Sequence, residues 1–290
     1  TPDFQSVVYS GRFGGKPAEL FVQRLASSDA RSLGVTGPSI GIAGTAEGNV
    51  SVVRGPLFDV TGESTLTQLP LEGGTPRDLL EDLTDADWDR GGNQFAVVRV
   101  VSGRQRLEYP VGKVLLETKG LEGIAGPSIS PDGKYKILTA EVKLKNVTGL
   151  DFYPDATDSN VQIYDELNYR HWDTWEDGAY SHIMYQPISD VASEPIDIMS
   201  AEPFDSPQKP FGGSEDYLWS PDSKNILYVT KKLSGAAYAS STNTDIYQYN
   251  LESKITTNLT SENKGYDTNP AFSSKGHLAW LQMKRDGYES

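Results

Sequence analysis

Gly37-Pro38-Ser39-Ile40-Gly41 places a serine in the Gly-x-Ser-x-Gly pattern of a nucleophile elbow. That elbow needs a strand before the serine and a helix after it, so that the hydroxyl stands exposed at a sharp turn. The residues after the serine, Gly41-Ile42-Ala43-Gly44-Thr45, hold no helix opening and read as an apolar strand running into a turn. Gly-Pro-Ser-Ile recurs at residues 126–129, so the motif is the grammar of a repeat and not a nucleophile. The chain has three histidines, His171, His182 and His277. His182 and His277 fall in expected strands. His171 stands beside Trp172, Asp173 and Trp175, and a His–Asp pair can act as a general base, but no nucleophile accompanies it. Asp151, Asp155, Asp158 and Asn160 offer oxygen ligands of the kind calcium takes. Their spacing departs from the EF-hand loop, and a solvated acidic loop is the expectation. Tyr164, Tyr169, Trp172, Trp175 and Tyr180 form an aromatic cluster, read either as a small satellite core or as a ligand-facing wall. Catalytic, cofactor and metal residues are assigned nowhere. The residues singled out as ligand-facing are Tyr169, Arg170, His171, Trp172, Trp175, Glu215 and Asp216.

Composition narrows the field. The 290 residues carry 40 acidic and 26 basic side chains, a net charge of −14, which argues against a nucleic-acid partner because phosphate binding needs a basic face. The absence of cysteine excludes disulfides, thiolate zinc sites and a cysteine nucleophile. No apolar run is long enough to span a membrane. With 37% hydrophobic residues the chain can bury a core. Its 28 Gly and 17 Pro, without collagen-like period, suit many short strands and turns. The compartment stays undecided between cytoplasm and periplasm.

The elements that would position these residues are set out by a repeat. Ser130-Pro131-Asp132-Gly133-Lys134 is strong turn chemistry between two apolar runs, and it predicts a β-hairpin. Weaker versions begin at 1, 45, 89, 220 and 273, giving spacings of 44, 44, 41, 90 and 53 residues with the copy at 130 included. Spacings of about 40–45 residues fit four-stranded propeller blades. The expected third and fourth strands are exemplified by Asp245–Tyr249 and Ile255–Leu259. The 90-residue spacing predicts one blade with an insertion of roughly 30 residues, from Leu150 to Tyr180, in which Val161–Leu167 forms a short helix or a strand. The fold class is therefore all-β: a propeller of four-stranded antiparallel blades in a single domain over residues 1–290, read as six blades with an irregular closing blade, with five or seven as the alternatives.

The Ser-Pro-Asp-Gly hairpins resemble the TolB-type, WD-like propeller repeat. Residues 57–120, with Thr65-Leu66-Thr67-Gln68-Leu69-Pro70 and Asp85-Ala86-Asp87-Trp88, resemble propeller regions of bacterial signalling proteins that carry Ser/Thr kinases. From about residue 121 the resemblance changes. Ile163–Trp175, Lys209–Asp216 and Gly265–Pro270 are similar to the propeller of the prolyl-oligopeptidase superfamily, near its bacterial dipeptidyl- and acyl-peptidases. That resemblance implies a propeller that filters access to an α/β-hydrolase domain; in such a setting Glu215-Asp216 reads as a contact for a substrate amine, or equally as a loop between blades. The change of resemblance suggests a join near residues 119–124 and a fused, non-catalytic propeller, engineered or recombined, as the leading reading. The substrate-gating propeller of a serine peptidase and a ligand- or protein-binding signalling propeller stand beside it. In each, the partner is a peptide or protein at the propeller face, and the chain is a monomer, or a dimer where the ring stays open.

Overall fold

The computed structural model describes residues 5–46, 48–56, 61–88, 94–118, 124, 128–167, 169–171, 174–273 and 275–287. The chain divides into two compact units, Thr1–Ile129 and Ser130–Ser290. The division falls within the Ser130 hairpin. The expected join at 119–124 lies, apart from Ile124, outside the described residues.

The first unit opens with an antiparallel sheet of Ser6–Gly11, Ala18–Arg24 and Ala30–Gly37. Seven strands then run as one antiparallel meander from Ser39–Ala46 to Val114–Glu117. Its pivot is the twelve-residue strand Arg77–Trp88. The first half of that strand pairs with Ser64–Pro70 and the second half with Phe95–Val101. Asp82 sits between the halves at φ 63°, the left-handed conformation that Asp tolerates better than most residues. One strand thus closes one four-stranded blade and opens the next. Alternation explains the core: Ala18, Leu20 and Val22 point inward onto Leu33, Val35, Ile40, Val50, Val52 and Leu69. Ser39, the serine of the Gly-x-Ser-x-Gly motif, lies in a strand that no helix succeeds, and its hydroxyl donates to Gly55 O at 2.8 Å.

In the second unit, Tyr135–Lys143, Ala179–Pro187 and Ile196–Asp197 pair in antiparallel succession. Tyr217–Trp219, Asn225–Thr230, Asp245–Asn250 and Thr256–Asn258 make a complete four-stranded blade, and Asp267–Phe272 pairs with Leu278–Gln282. The 90-residue spacing is therefore one blade with an insertion between Tyr135–Lys143 and Ala179–Pro187. His182 is a strand residue as expected. His277 is not, because it sits just before Leu278–Gln282 with its N–H bonded to Ser273 Oγ.

The hairpin turns show why the repeat carries its signature. Ser130 Oγ accepts the N–H groups of Lys134 and Tyr135 and donates to Asp132 Oδ1, while Gly133 takes φ 70°. Ser220 repeats this with Asp222 and Asn225, but Ser223 replaces the glycine at φ 60°. Its hydroxyl accepts Asp132 N–H at 2.9 Å, tying the two turns together. The core below is aromatic: Tyr185, Tyr217, Trp219, Tyr228, Tyr247 and Tyr249 pack with Ile137, Ile183, Ile198, Met199 and Ile226.

Candidate binding cavity in the second unit

The insertion is anchored at its base. Leu144 and Lys145 both donate their N–H groups to Gly178 O. Gly178 stands at φ 81°, and a Cβ there would lie 2.1 Å from Lys145 O, so only glycine fits. Within the insertion, Gly149–Phe152 forms a helical turn. Asp151 Oδ2 accepts Val147 N–H and Thr148 N–H and meets Lys143 Nζ, all within 2.9 Å. These donors hold the Asp151 carboxyl well below the usual range and give it the role of a helix cap. Val161–Leu167 is neither helix nor strand beyond a bridge from Gln162 to Thr148. Local bonds hold it as a strap: Ile163 N–H donates to Val147 O, and Tyr164 OH donates to Glu176 O at 2.6 Å. Each bonds to a different segment, so no ladder propagates.

Beneath this strap lies a cavity of about 180 Å³. Val147, Tyr164, Glu176 and Tyr180 line it from the insertion side. Pro203–Asp205 and Tyr238 close it from two segments far along the chain. Tyr238 is carried by the short helix Gly235–Ser240, which sits between two blade strands. Lys231 fixes that helix: its ammonium donates to Tyr238 O at 2.7 Å and lies 4.3 Å from the centre of the Tyr238 ring.

The cavity wall is acidic and aromatic, and it also holds Lys145, whose ammonium meets Glu166 at 3.0 Å and lies 6.0 Å from the centre of the Tyr180 ring. Burial pushes the Glu176 and Asp205 carboxyls up, and the Asp205 charge adds to the upward shift of Glu176. Asp205 accepts Ser181 N–H at 2.8 Å and Lys209 Nζ at 3.2 Å, and Lys209 also meets Glu141 at 2.7 Å. Burial, with the charges of Asp205 and Glu176 behind it, pushes the Tyr238 hydroxyl up to about 12. The Tyr180 phenol is raised by burial as well. Asp205 already meets the Lys209 ammonium, and Glu176, desolvated among phenol rings beside it, is the carboxylate that an added cation relieves most. Such a cation restores the charged form of the acid and gains from the ring faces.

The residues singled out in the sequence separate in space. Tyr164 lines the cavity, stacks on Trp175 with ring centres 6.1 Å apart and meets the Tyr169 ring at a tilt with centres 5.6 Å apart. Arg170 covers the Trp175 ring at 5.1 Å. Tyr169 and Trp175 are each more than two-fifths exposed, so this cluster is an outer wall and not a sealed core. The backbone of His171 pairs with Thr174, and Trp172 lies outside the described residues. Glu215 and Asp216 do not line the cavity. Asp216 is turned inward, where its Oδ2 accepts Gln208 N–H at 2.9 Å and burial pushes its carboxyl up to about 6. Asp205 and Tyr238 carried no signal in the sequence, being an ordinary loop acid and a tyrosine in an unforeseen helix. Glu176 was not singled out either, although it stands in the insertion that the sequence marked as acidic and aromatic. Among the described residues, no group of three or more His, Asp or Glu side chains forms a metal site. No described helix is long and apolar enough to cross a membrane.

The four-stranded antiparallel blades and their Ser-Pro-Asp turns make this an all-β chain of β-propeller blades. Its sequence is 43% identical over 169 residues to dipeptidyl-peptidase 5 of Porphyromonas gingivalis, a match covering 58% of this chain and 25% of that protein. It is 37% identical over 211 residues to dipeptidyl-peptidase 5 of Porphyromonas endodontalis, covering 70% of this chain and 30% of that protein. The chain thus spans between a quarter and a third of the length of these curated relatives. No family model matches it. Among solved structures it superposes on TolB from Acinetobacter baumannii with a TM-score of 0.47 at 16% identity, covering 96% of this chain and 63% of that one. The β-propeller domain of the Trilobed protease from Pyrococcus furiosus gives 0.49 at 9% identity, covering 96% and 75%.

Proposed function

We propose that this chain is the propeller portion of a dipeptidyl-peptidase-type enzyme and that its cavity receives the cationic end of a peptide. The observation that carries the reading is the pairing of Glu176 and Asp205, both desolvated, among Tyr164, Tyr180 and Tyr238. A primary ammonium entering there replaces lost hydration with two carboxylates and ring faces. The exposed Tyr169 and Trp175, with Arg170 stacked on the latter, supply an apolar wall for the side chains beyond that ammonium. Bond cleavage belongs, in this reading, to other parts of the longer protein.

This reading is better supported than a fused propeller without activity. The relative matched over 70% of the chain covers more residues than lie between 121 and 290, so one natural protein runs across the expected join.

The test is calorimetric titration of the chain with Gly-Phe and with N-acetyl-Gly-Phe. Binding of the free amine only, weakened at least tenfold by Glu176→Gln and unchanged by Glu215→Gln, is the expected result. Equal affinity for both peptides, or no binding of either, refutes it. Because the acids must be ionised to hold the ammonium, affinity falls as pH drops through their raised range.

A further inference from the structure

Arg170 and Trp175 stand opposite each other in a two-residue antiparallel ladder, Arg170–His171 with Thr174–Trp175. The pairing gains one rung toward the cavity, where Glu176 N–H donates to Tyr169 O at 3.1 Å. Glu176 lines the cavity, so Arg170 is joined to the cavity's acid by adjacent rungs of one paired element. The Arg170 guanidinium is exposed and lies 5.1 Å from the centre of the Trp175 ring. An arginine over an aromatic face keeps its N–H edges free for a second partner. Among the described residues no carboxylate takes that place. The acids on either side in the chain are committed elsewhere, Glu166 to Lys145 at 3.0 Å and Asp177 to Ala179 N–H at 2.9 Å. Acidic side chains outnumber basic ones 40 to 26, so the vacancy does not reflect a shortage of carboxylates. We propose that Arg170 binds a peptide carboxylate at this same site, so that the peptides it favours carry one about three residues from their free amine.

The spacing sets the length. Tyr164 lines the cavity, its ring centre lies 6.1 Å from that of Trp175, and Trp175 lies 5.1 Å from the guanidinium. An extended peptide advances about 3.3–3.6 Å per residue, so about three residues cover the two contacts laid end to end. The rings of Tyr164, Tyr169 and Trp175, with centres 5.6 to 6.2 Å apart, floor the path between the two charges. Trp175 also shields one face of the guanidinium from water, which strengthens its pairing with an incoming carboxylate. The other cations near the cavity are poorer candidates, because Lys145 is paired with Glu166 and Lys209 with Glu141 and Asp205. Arg170 takes this role on the reading that the cavity receives the amine, and it supplies the charge that meets the other end of the peptide.

Calorimetric titration of the full chain with Gly-Phe-Gly, Gly-Phe-Gly-amide and Gly-Phe-Glu-amide tests this. All three keep the free amine, and only the first and the last carry a carboxylate on the third residue. The expected result is binding about fivefold to tenfold tighter for the peptides with a carboxylate than for Gly-Phe-Gly-amide. A preference for only one of those two also supports the proposal and names the source as the terminal or the side-chain carboxylate. Arg170→Gln brings the acid and amide peptides to within about twofold of each other, and Arg170→Lys, which keeps the charge without the planar fork, retains part of the preference. Equal binding of all three peptides, or a preference that survives in Arg170→Gln, overturns the proposal. When that result comes with Gly-Phe-Gly-amide still weakened by Glu176→Gln, the role of Arg170 falls and the ammonium site stands. Binding of none of the peptides overturns both.

Discussion

Replacing Asp216 by Asn removes a charge that the fold holds against its preference. The carboxyl is 4% exposed, receives Gln208 N–H, and is raised from an ordinary 3.8 to about 6, chiefly by burial, with the neighbouring Glu215 charge adding to the rise. The folded chain therefore binds a proton here more tightly than the unfolded chain. Stability is greatest below the unfolded value and is lost as pH rises through the folded one. Two pH units at about 1.36 kcal/mol each make this loss about 3 kcal/mol between pH ~4 and pH ~7. Asparagine keeps a carbonyl oxygen for Gln208 and carries no charge, so the variant escapes the loss. Urea denaturation followed by Trp219, which is buried in the aromatic core of the same unit, reads it. Asp216→Asn is expected to match the unmodified chain near pH 4 and to exceed it by up to ~3 kcal/mol near pH 7. The difference between the two profiles isolates Asp216 from Glu176 and Asp205, which shift in the same direction. A pH-independent difference, or a variant less stable at neutral pH, refutes the reasoning.

Other consequences are direct. Gly178→Ala forces an alanine to φ 81° and drives its methyl into Lys145 O. The backbone conformation alone costs about 1–3 kcal/mol, and denaturation should show at least that loss. Ile183→Ala hollows the core that His182 adjoins and should cost about 2–5 kcal/mol in the same assay. Ser223→Ala removes the acceptor of Asp132 N–H and should cost about 1 kcal/mol, with no effect on peptide binding.

Much of the architecture was written locally. Ser130-Pro131-Asp132-Gly133 specifies its turn because serine, aspartate and glycine each meet a demand of neighbouring backbone groups within five residues. The strands flanking it are set by alternation, since every second side chain must leave water. The same reasoning failed at Val161–Leu167, where apolar residues suited a helix or strand. Separate bonds to Val147 and Glu176 hold that stretch as a strap. Glu215-Asp216 read either as a contact for a substrate amine or as a loop between blades, and nothing in the sequence signalled that Asp216 is buried. The Gln208 amide and the close approach of Gly212 turned Asp216 inward.

The sequence by itself determined the all-β class, the places of the Ser-Pro-Asp hairpin turns, the position of the insertion and the aromatic, acidic character of that insertion. These are short-range properties, set by turn chemistry and by the two-residue period of a strand. Only the tertiary structure decided that Glu176 faces Asp205 and Tyr238, which lie about 30 and 60 residues further along. It also set both nitrogens of His182 against acceptors from two other segments. A carboxylate's charge preference and a histidine's hydrogen-bond partners depend on what surrounds them in space. Those surroundings exist only once the blades have packed.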